Sequence, residues 1–108
     1  MISSLHGIVE DMTLDVVTLS VNGVGYDVFC TRGLAASLST GDETHLVVHT
    51  DVKEDSIRLY GFQDKLEKQV FLLLIKVSGV GSKSAVDILS NVDKLDLLRT
   101  IGSADTAR

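Results

Sequence analysis

The spacing of apolar residues changes at Gly61-Phe62-Gln63, and this change limits the folds that the chain can adopt. Before it, apolar residues alternate with polar ones, as on a strand that buries one face. After it, they recur every three or four residues, as on an amphipathic helix. With 108 residues, the sequence predicts an α+β protein of two small domains, a β domain over residues 1–62 and a helical domain over residues 63–108.

Several short strands are predicted in the first domain. The dipeptide Asn22-Gly23 is the clearest local signal, because both central residues of a type I′ hairpin turn need positive φ. A brief helical segment is expected at residues 33–38, between the third and the fourth strand. Five strands with this arrangement predict a small closed β-barrel of the OB-fold type. The predicted strands cover residues 2–10, 17–21, 24–30, 45–52 and 57–62.

Helices are predicted beyond residue 63. Asp64 caps the first of them, with Glu67 at its third helical position. Asn91 is expected to end the second helix in the left-handed conformation, and Asp93 to cap the third. The predicted helices cover residues 64–77, 82–90 and 94–101. Residues 102–108 begin like another helix without an apolar face, so the chain is expected to continue beyond its last residue.

The connection between the first two predicted helices carries the candidate binding site. Gly79 and Gly81 permit positive φ and the close approach of another backbone. The helix after Gly81 directs its positive end and its free N–H groups towards one point. Such a terminus binds anions, and Lys83 adds a cation for a phosphate. This pattern is typical of a helix-hairpin-helix, a module that grips the DNA backbone without reading bases.

Three other interpretations of this connection are available. A dinucleotide-binding turn needs a preceding strand and a third glycine, but Ser84 stands at that position. A P-loop needs the sequence Gly-Lys-Ser/Thr at an offset that the chain lacks. A plain helical turn without a ligand stays open.

Formal charge is unevenly distributed along the chain. Residues 1–62 carry three basic and nine acidic side chains, a net charge of −6. Residues 63–108 carry seven basic and six acidic ones, a net charge of +1, and the two parts add up to −5. A nucleic-acid-binding protein usually has a basic surface. DNA contact is therefore expected on one face only, through backbone N–H groups that add nothing to the formal charge.

The remaining residue types argue against several functions. No apolar run is long enough to span a membrane and the N-terminus does not resemble a signal peptide, so a cytoplasmic protein is predicted. Cys30 is the only cysteine and is interpreted as a core residue on a strand. His45 and His49 lie too far apart along a strand for a shared metal, and His6 stands isolated. No catalytic residue, metal or cofactor is predicted.

Several motifs together resemble the RuvA family, whose members bind Holliday junctions in bacterial branch migration. They are VNGVGY at residues 21–26, KED at residues 53–55, LYGF at residues 59–62 and LIKVSGVG at residues 74–81. The resemblance covers essentially the whole chain but only about the first half of the family's length. The family's second hairpin, linker and small C-terminal domain would follow Arg108.

The resemblance implies an OB-fold barrel and a helical domain, assembled as a homotetramer that holds four-way junction DNA open. It also implies a non-catalytic role, with the RuvB ATPase as motor, docked on the missing C-terminal domain, and the RuvC nuclease as a further partner. The family's phosphate-binding positions fall on Gly79, Val80, Gly81 and Lys83. Ser82 stands where the family often has proline, which predicts a slightly less rigid hairpin.

Glu54 and Asp55 match the acidic pin at the centre of the family's tetramer. On the residues alone they form a solvated hairpin turn. With the resemblance, four copies would place eight carboxylates where the DNA strands exchange, and these would repel phosphates.

Two rival functions come from other classes. A general OB-fold binder of single-stranded DNA would stack bases on aromatic side chains in a basic groove. The acidic barrel and an aromatic content of 5% argue against this alternative. A small enzyme is the third possibility, for which the sequence offers no nucleophile, general base or metal cluster.

Overall fold

The computed structural model describes residues 1–91, which form a closed five-stranded barrel followed by two longer helices. The predicted α+β fold with an OB-like barrel is confirmed. The predicted helix at residues 94–101, its Asp93 cap and the segment 102–108 lie outside the described residues. The elements are β1 (Ser4–Met12), β2 (Val16–Val21), β3 (Val24–Phe29), α1 (Arg32–Ser37), β4 (Glu43–Val52), β5 (Ile57–Phe62), α2 (Lys65–Ser78) and α3 (Ser82–Asn91).

The barrel closes through pairings that are distant in sequence. Its strand order is β1-β2-β3-β5-β4, and β4 pairs with β1 to complete the ring. Neighbouring strands are antiparallel except β3 and β5, which run parallel, with Val28 opposite Leu59. A β-bulge between Val9 and Asp11 interrupts the pairing of β1 with β2. Such a bulge bends the strand and increases its twist, as a small barrel requires.

The β2–β3 turn has the backbone that the sequence predicts. Asn22 and Gly23 have φ values of 51° and 85°, as a type I′ turn requires. Among the described residues, Asn22 is the only non-glycine with positive φ. The left-handed conformation predicted for Asn91 is therefore wrong, because Asn91 is the last residue of α3. Its side-chain amide donates to the Asp87 carbonyl at 2.8 Å, which keeps it in the helix.

Buried apolar side chains form two clusters. The first fills the barrel with residues from all five strands and from α1. The second joins the end of β5 to the two long helices, and Tyr60 and Phe62 of the strand belong to it. Side chains on both sides of the boundary predicted at residue 62 therefore pack in one cluster. The division of the chain into two domains at this residue stays a prediction. The buried members of the second cluster are Tyr60, Phe62, Val70, Phe71, Leu74, Ala85, Val86 and Leu89.

The cap of α2 follows the predicted pattern with one difference. The Asp64 carboxylate accepts the N–H of Glu67 at 2.8 Å, as expected. The Glu67 carboxylate accepts the N–H of Gln63 at 3.2 Å, one residue before the position expected in a capping box. Both hydrogen bonds fix the direction in which the chain leaves β5 and enters α2.

Cys30 is buried, with 1% of its surface exposed, but it follows β3 instead of lying in it as predicted. Burial, assisted by the carboxylates of Asp15 and Glu67, raises the pKa of its thiol to about 12. The thiol is therefore neutral and acts as a small core residue.

The three histidines are surface or structural residues, as predicted, although His6 is not isolated. His6 lies directly opposite His45 on the neighbouring strand, with ring centroids 6.0 Å apart. Its Nε2 also lies 2.7 Å from a carboxylate oxygen of Glu43. This pairing between β1 and β4 is non-local, so single-sequence spacing does not reveal it.

The His49 side chain predicts a pH dependence of stability. It packs on the ring of Phe71, at 5.5 Å between centroids, and this burial lowers its pKa below 6.5. Lys68 lowers the pKa further and Asp51 opposes the shift. The unfolded chain therefore binds more protons than the folded one. As a result, the contribution of His49 to the stability of the folded state is complete above about pH 6.5. That contribution is lost as the pH falls towards the lower folded pKa.

Urea unfolding at about pH 8 and about pH 5.5 measures this effect. We expect His49→Gln to reduce the loss of unfolding free energy on acidification. His45→Gln removes a histidine from an exposed position on the same strand and is the matched control for the loss of the half-buried His49 ring. If the unfolding free energy falls equally in wild type and His49→Gln on acidification, His49 is not the source of the pH dependence.

Candidate nucleic-acid interface

The α2–α3 hairpin (residues 79–83) begins where α2 ends at Gly79. Gly79 has φ 69° and ψ 12°, and its N–H donates to the Ile75 carbonyl at 3.0 Å. The Ser78 hydroxyl donates to the Leu74 carbonyl and satisfies a second terminal acceptor. The left-handed conformation favours glycine, since a side chain there meets the following carbonyl. The first glycine of the motif is therefore required by the turn itself.

The start of α3 presents unpaired backbone donors. The N–H of Ala85 donates to the Gly81 carbonyl at 3.0 Å and makes the first helical hydrogen bond. The N–H groups of Ser82, Lys83 and Ser84 precede it and have no acceptor within the helix. Gly81 does not have positive φ, and it carries no side chain that could cap these donors. Apart from the adjacent residues of the chain, no heavy atom lies within 4 Å of the Cβ position that a side chain would take at Gly79 or Gly81, so the hairpin surface is open.

The predicted site residues differ in exposure. Val80 is half-buried and packs against the second apolar cluster, which anchors the hairpin. Ser82 is buried, with only 9% of the residue exposed, so little of its side chain is open to a ligand. Lys83 has 54% of its side chain exposed and is the cation of the hairpin. Together these residues offer N–H donors and one positive charge, which suits an anionic oxygen.

Two carboxylates lie beside Lys83. Its Nζ is 3.6 Å from an Asp15 carboxylate oxygen in the β1–β2 turn and 3.5 Å from one of Asp87 in α3. Sequence reasoning missed both aspartates. The spacing of four residues between Lys83 and Asp87 is a detectable helical signal. No local signal connects Asp15 to Lys83, because the barrel fold brings them together.

Glu54 and Asp55 lie in the β4–β5 turn, and both are exposed. The turn is closed by a hydrogen bond from the Lys53 N–H to the Ser56 carbonyl at 2.8 Å. It precedes β5, whereas α2 follows the other end of that strand. Within one chain, the structure therefore brings the five hairpin residues together but does not place the acidic pair among them.

Residues 1–91 contain no group of three or more His, Cys, Asp or Glu side chains placed to hold a metal ion. In the same part of the chain, none of the helices has the length and apolar character needed to cross a membrane.

Comparison with known proteins gives a consistent result. Residues 1–61 match the family model described as RuvA N terminal domain. The chain is 43% identical over 105 residues to the Holliday junction branch migration complex subunit RuvA of Pelobacter propionicus. This alignment covers 97% of this chain and 53% of that protein. The subunits of the same name from Methylorubrum populi and Afipia carboxidovorans are also 43% identical, over 106 and 108 residues. These alignments cover 97% and 99% of this chain.

The chain spans about half the length of the curated relatives it matches. The family match covers the barrel, and the relatives extend the similarity through both long helices. On these grounds the chain belongs to the RuvA family.

Proposed function

We propose that this chain is the DNA-binding part of a subunit that recognises four-way Holliday junctions during branch migration. The proposal rests on the geometry of the α2–α3 hairpin, where a left-handed glycine, free helix N–H groups and Lys83 face an open surface. Such donors bind phosphate oxygens without reading base identity. The names of the relatives, which are branch migration complex subunits, support the same activity.

In this proposal, attraction and repulsion of DNA occupy separate parts of the chain. The hairpin residues Gly79, Val80, Gly81, Ser82 and Lys83 hold the phosphate backbone of a DNA arm. The exposed pair Glu54 and Asp55 lies at the other end of β5 and repels phosphates. A homotetramer would gather four acidic turns at its centre and hold four arms around them. This zoning accounts for a DNA-binding chain with a net charge of −5.

We further propose the partners that the family resemblance implies. The chain itself performs no chemistry in this scheme, and the RuvB ATPase supplies the motor while the RuvC nuclease cleaves the junction. Residues beyond the 108 of this chain would contact RuvB. The site of action is the cytoplasm, where bacterial DNA lies.

The placement of the aromatic rings argues against the rival function in single-strand binding. Tyr60, Phe62 and Phe71 are each no more than 1% exposed, so their faces are not available to bases. Phe29 is half-buried, and the Arg58 guanidinium lies 5.2 Å from its ring centroid. A stacking groove needs several exposed rings in a row.

Competition among three DNA forms tests the proposed function. A labelled four-way junction is bound by the protein and displaced with unlabelled junction, linear duplex or single strand of equal length. We expect the junction to compete best. Preferential displacement by single-stranded DNA would favour the rival function instead.

Replacing Lys83 with alanine is expected to weaken binding to every DNA form by a similar factor, because phosphate contacts carry no sequence information. The dependence of affinity on salt should lose about one unit of slope. Raising the salt concentration from about 50 to about 200 mM should therefore reduce the ratio of wild-type to variant affinity roughly three- to four-fold.

Fluorescence anisotropy titrations at several salt concentrations measure both quantities. Lys65→Ala is the matched control, since Lys65 is exposed at the other end of α2. If Lys83→Ala keeps the wild-type affinity and slope, Lys83 does not contact phosphate.

A further inference from the structure

We propose that Asp15 and Asp87 compete with DNA phosphate for Lys83 and thereby lower the affinity of the α2–α3 hairpin for the DNA backbone. This inference rests on the proposed function and adds two residues that set its strength. Both carboxylates lie within 3.6 Å of the Lys83 ammonium group. One cation beside two anions leaves a local net charge of −1, which a phosphate must overcome.

The position of Asp15 is fixed by the barrel. Its backbone carbonyl accepts the N–H of Cys30 at 2.9 Å, and the turn around it is closed by the Thr13 N–H donating to Val16 at 2.8 Å. Cys30 is buried, so this anchor is part of the barrel core. The Asp15 carboxylate is therefore held near the start of α3 by a rigid strand connection.

The other end of α3 is also fastened to the rest of the chain. The backbone N–H of Arg32 donates to the Ser90 hydroxyl at 3.1 Å, and its guanidinium donates to the Asn91 side chain at 2.5 Å. With α3 held at its C-terminal end by α1, Lys83 at its N-terminal end stays within reach of Asp15. The Lys83–Asp15 pair is thus a contact between barrel and hairpin, located where a phosphate would bind.

The pairing is weak enough to be exchanged for a phosphate. The three side chains are 41% to 61% exposed, and their N–O distances exceed those of a short charged hydrogen bond. Exposed ion pairs of this kind change an equilibrium constant by up to about five-fold. DNA can therefore displace the aspartates from Lys83, but this displacement lowers the affinity for DNA. Removing one carboxylate should regain part of that affinity.

The test measures affinity for a labelled four-way junction and a linear duplex at low and high salt. We expect Asp15→Asn and Asp87→Asn each to raise the affinity for both DNA forms roughly two- to five-fold at low salt. The gain should shrink as salt screens the pair. Asparagine keeps the size of the side chain, and a thermal unfolding curve verifies that each variant is folded.

Two controls separate local pairing from a general change in charge. Glu10→Gln removes one exposed negative charge from β1, and Glu10 forms no ion pair within residues 1–91. Its gain should be smaller than that of Asp15→Asn. In a Lys83→Ala background, Asp15→Asn should produce a smaller gain than in the wild type, since the lysine for which Asp15 competes is absent and only its direct repulsion of phosphate remains.

The outcomes distinguish this inference from the proposed function. If Lys83→Ala weakens binding while the aspartate variants match Glu10→Gln, the competition is refuted and the phosphate contact stands. Weaker binding by Asp15→Asn would mean that the aspartate positions the lysine, which also overturns the inference. If Lys83→Ala leaves affinity unchanged, the assignment of Lys83 itself fails.

Discussion

Replacing Phe71 with alanine is expected to lower the free energy of unfolding by about 3–5 kcal/mol. The Phe71 ring is fully buried, and its centroid lies 4.8 Å from that of Phe62 and 5.7 Å from that of Tyr60. It also contacts His49 of β4, so one side chain of α2 touches two barrel strands. Removing it leaves a cavity between the barrel and the helices. Since whole domains are stable by only about 5–15 kcal/mol, this loss threatens the fold.

Leu72→Ala provides the matched control for this change. Leu72 is adjacent on the same helix, but 39% of it is exposed. Both variants place alanine in a helix interior, so burial is the main difference between them. Urea unfolding should give a loss several times larger for Phe71→Ala. Equal losses would mean that α2 does not depend on its packing against β4 and β5.

The local features of the fold could be predicted from the sequence. Asn22-Gly23 specifies its own turn, because few residue pairs tolerate positive φ twice in succession. Asp64 specifies the start of α2 through a hydrogen bond to a residue three positions away. The change of apolar period at Phe62 separates strands from helices, and the observed boundaries differ from the predicted ones by a few residues. These signals act over short stretches of chain.

Other features depend on contacts that no local pattern encodes. The parallel pairing of β3 with β5 closes the barrel across a long connection, and the sequence does not specify its register. The shared cluster of Tyr60 and Phe62 with the helices depends on how α2 turns back onto the sheet. The hydrogen bond from Arg32 to the Asn91 side chain likewise joins residues that are far apart in sequence.

The candidate site divides along the same line. The hairpin and its left-handed Gly79 follow from the spacing of glycines between apolar residues. The environment of Lys83 does not, because Asp15 reaches it from the barrel. The phosphate-binding role of the hairpin residues and the repulsive role of Glu54 and Asp55 stay predictions.

Neutralising the acidic turn is expected to change selectivity more than strength of binding. In Glu54→Gln/Asp55→Asn, the hydrogen bond from Lys53 to Ser56 can still close the turn, because it uses only backbone atoms. What the variant would lose is the proposed repulsion of phosphates by the two carboxylates. Linear duplex binding should then rise, since the centre of a tetramer no longer rejects a continuous backbone. Junction binding should change less, because an open junction keeps its phosphates away from the centre.

The preference for junction over duplex should therefore fall by roughly ten-fold at low salt, which corresponds to about 1.4 kcal/mol. This is less than the several kcal/mol that like charges can cost at an interface, because both carboxylates are exposed to solvent. The fall should be smaller at high salt, where screening acts over distances below ~10 Å. Glu10→Gln/Asp11→Asn is the matched control, since it makes the same two chemical changes at exposed positions on β1. Both variants are compared in protein whose tetrameric mass has been verified in solution, because a monomer cannot gather four acidic turns. If the turn variant keeps the full junction preference at every salt concentration, Glu54 and Asp55 are only a solvated hairpin turn, and selectivity must arise from how the hairpins are spaced.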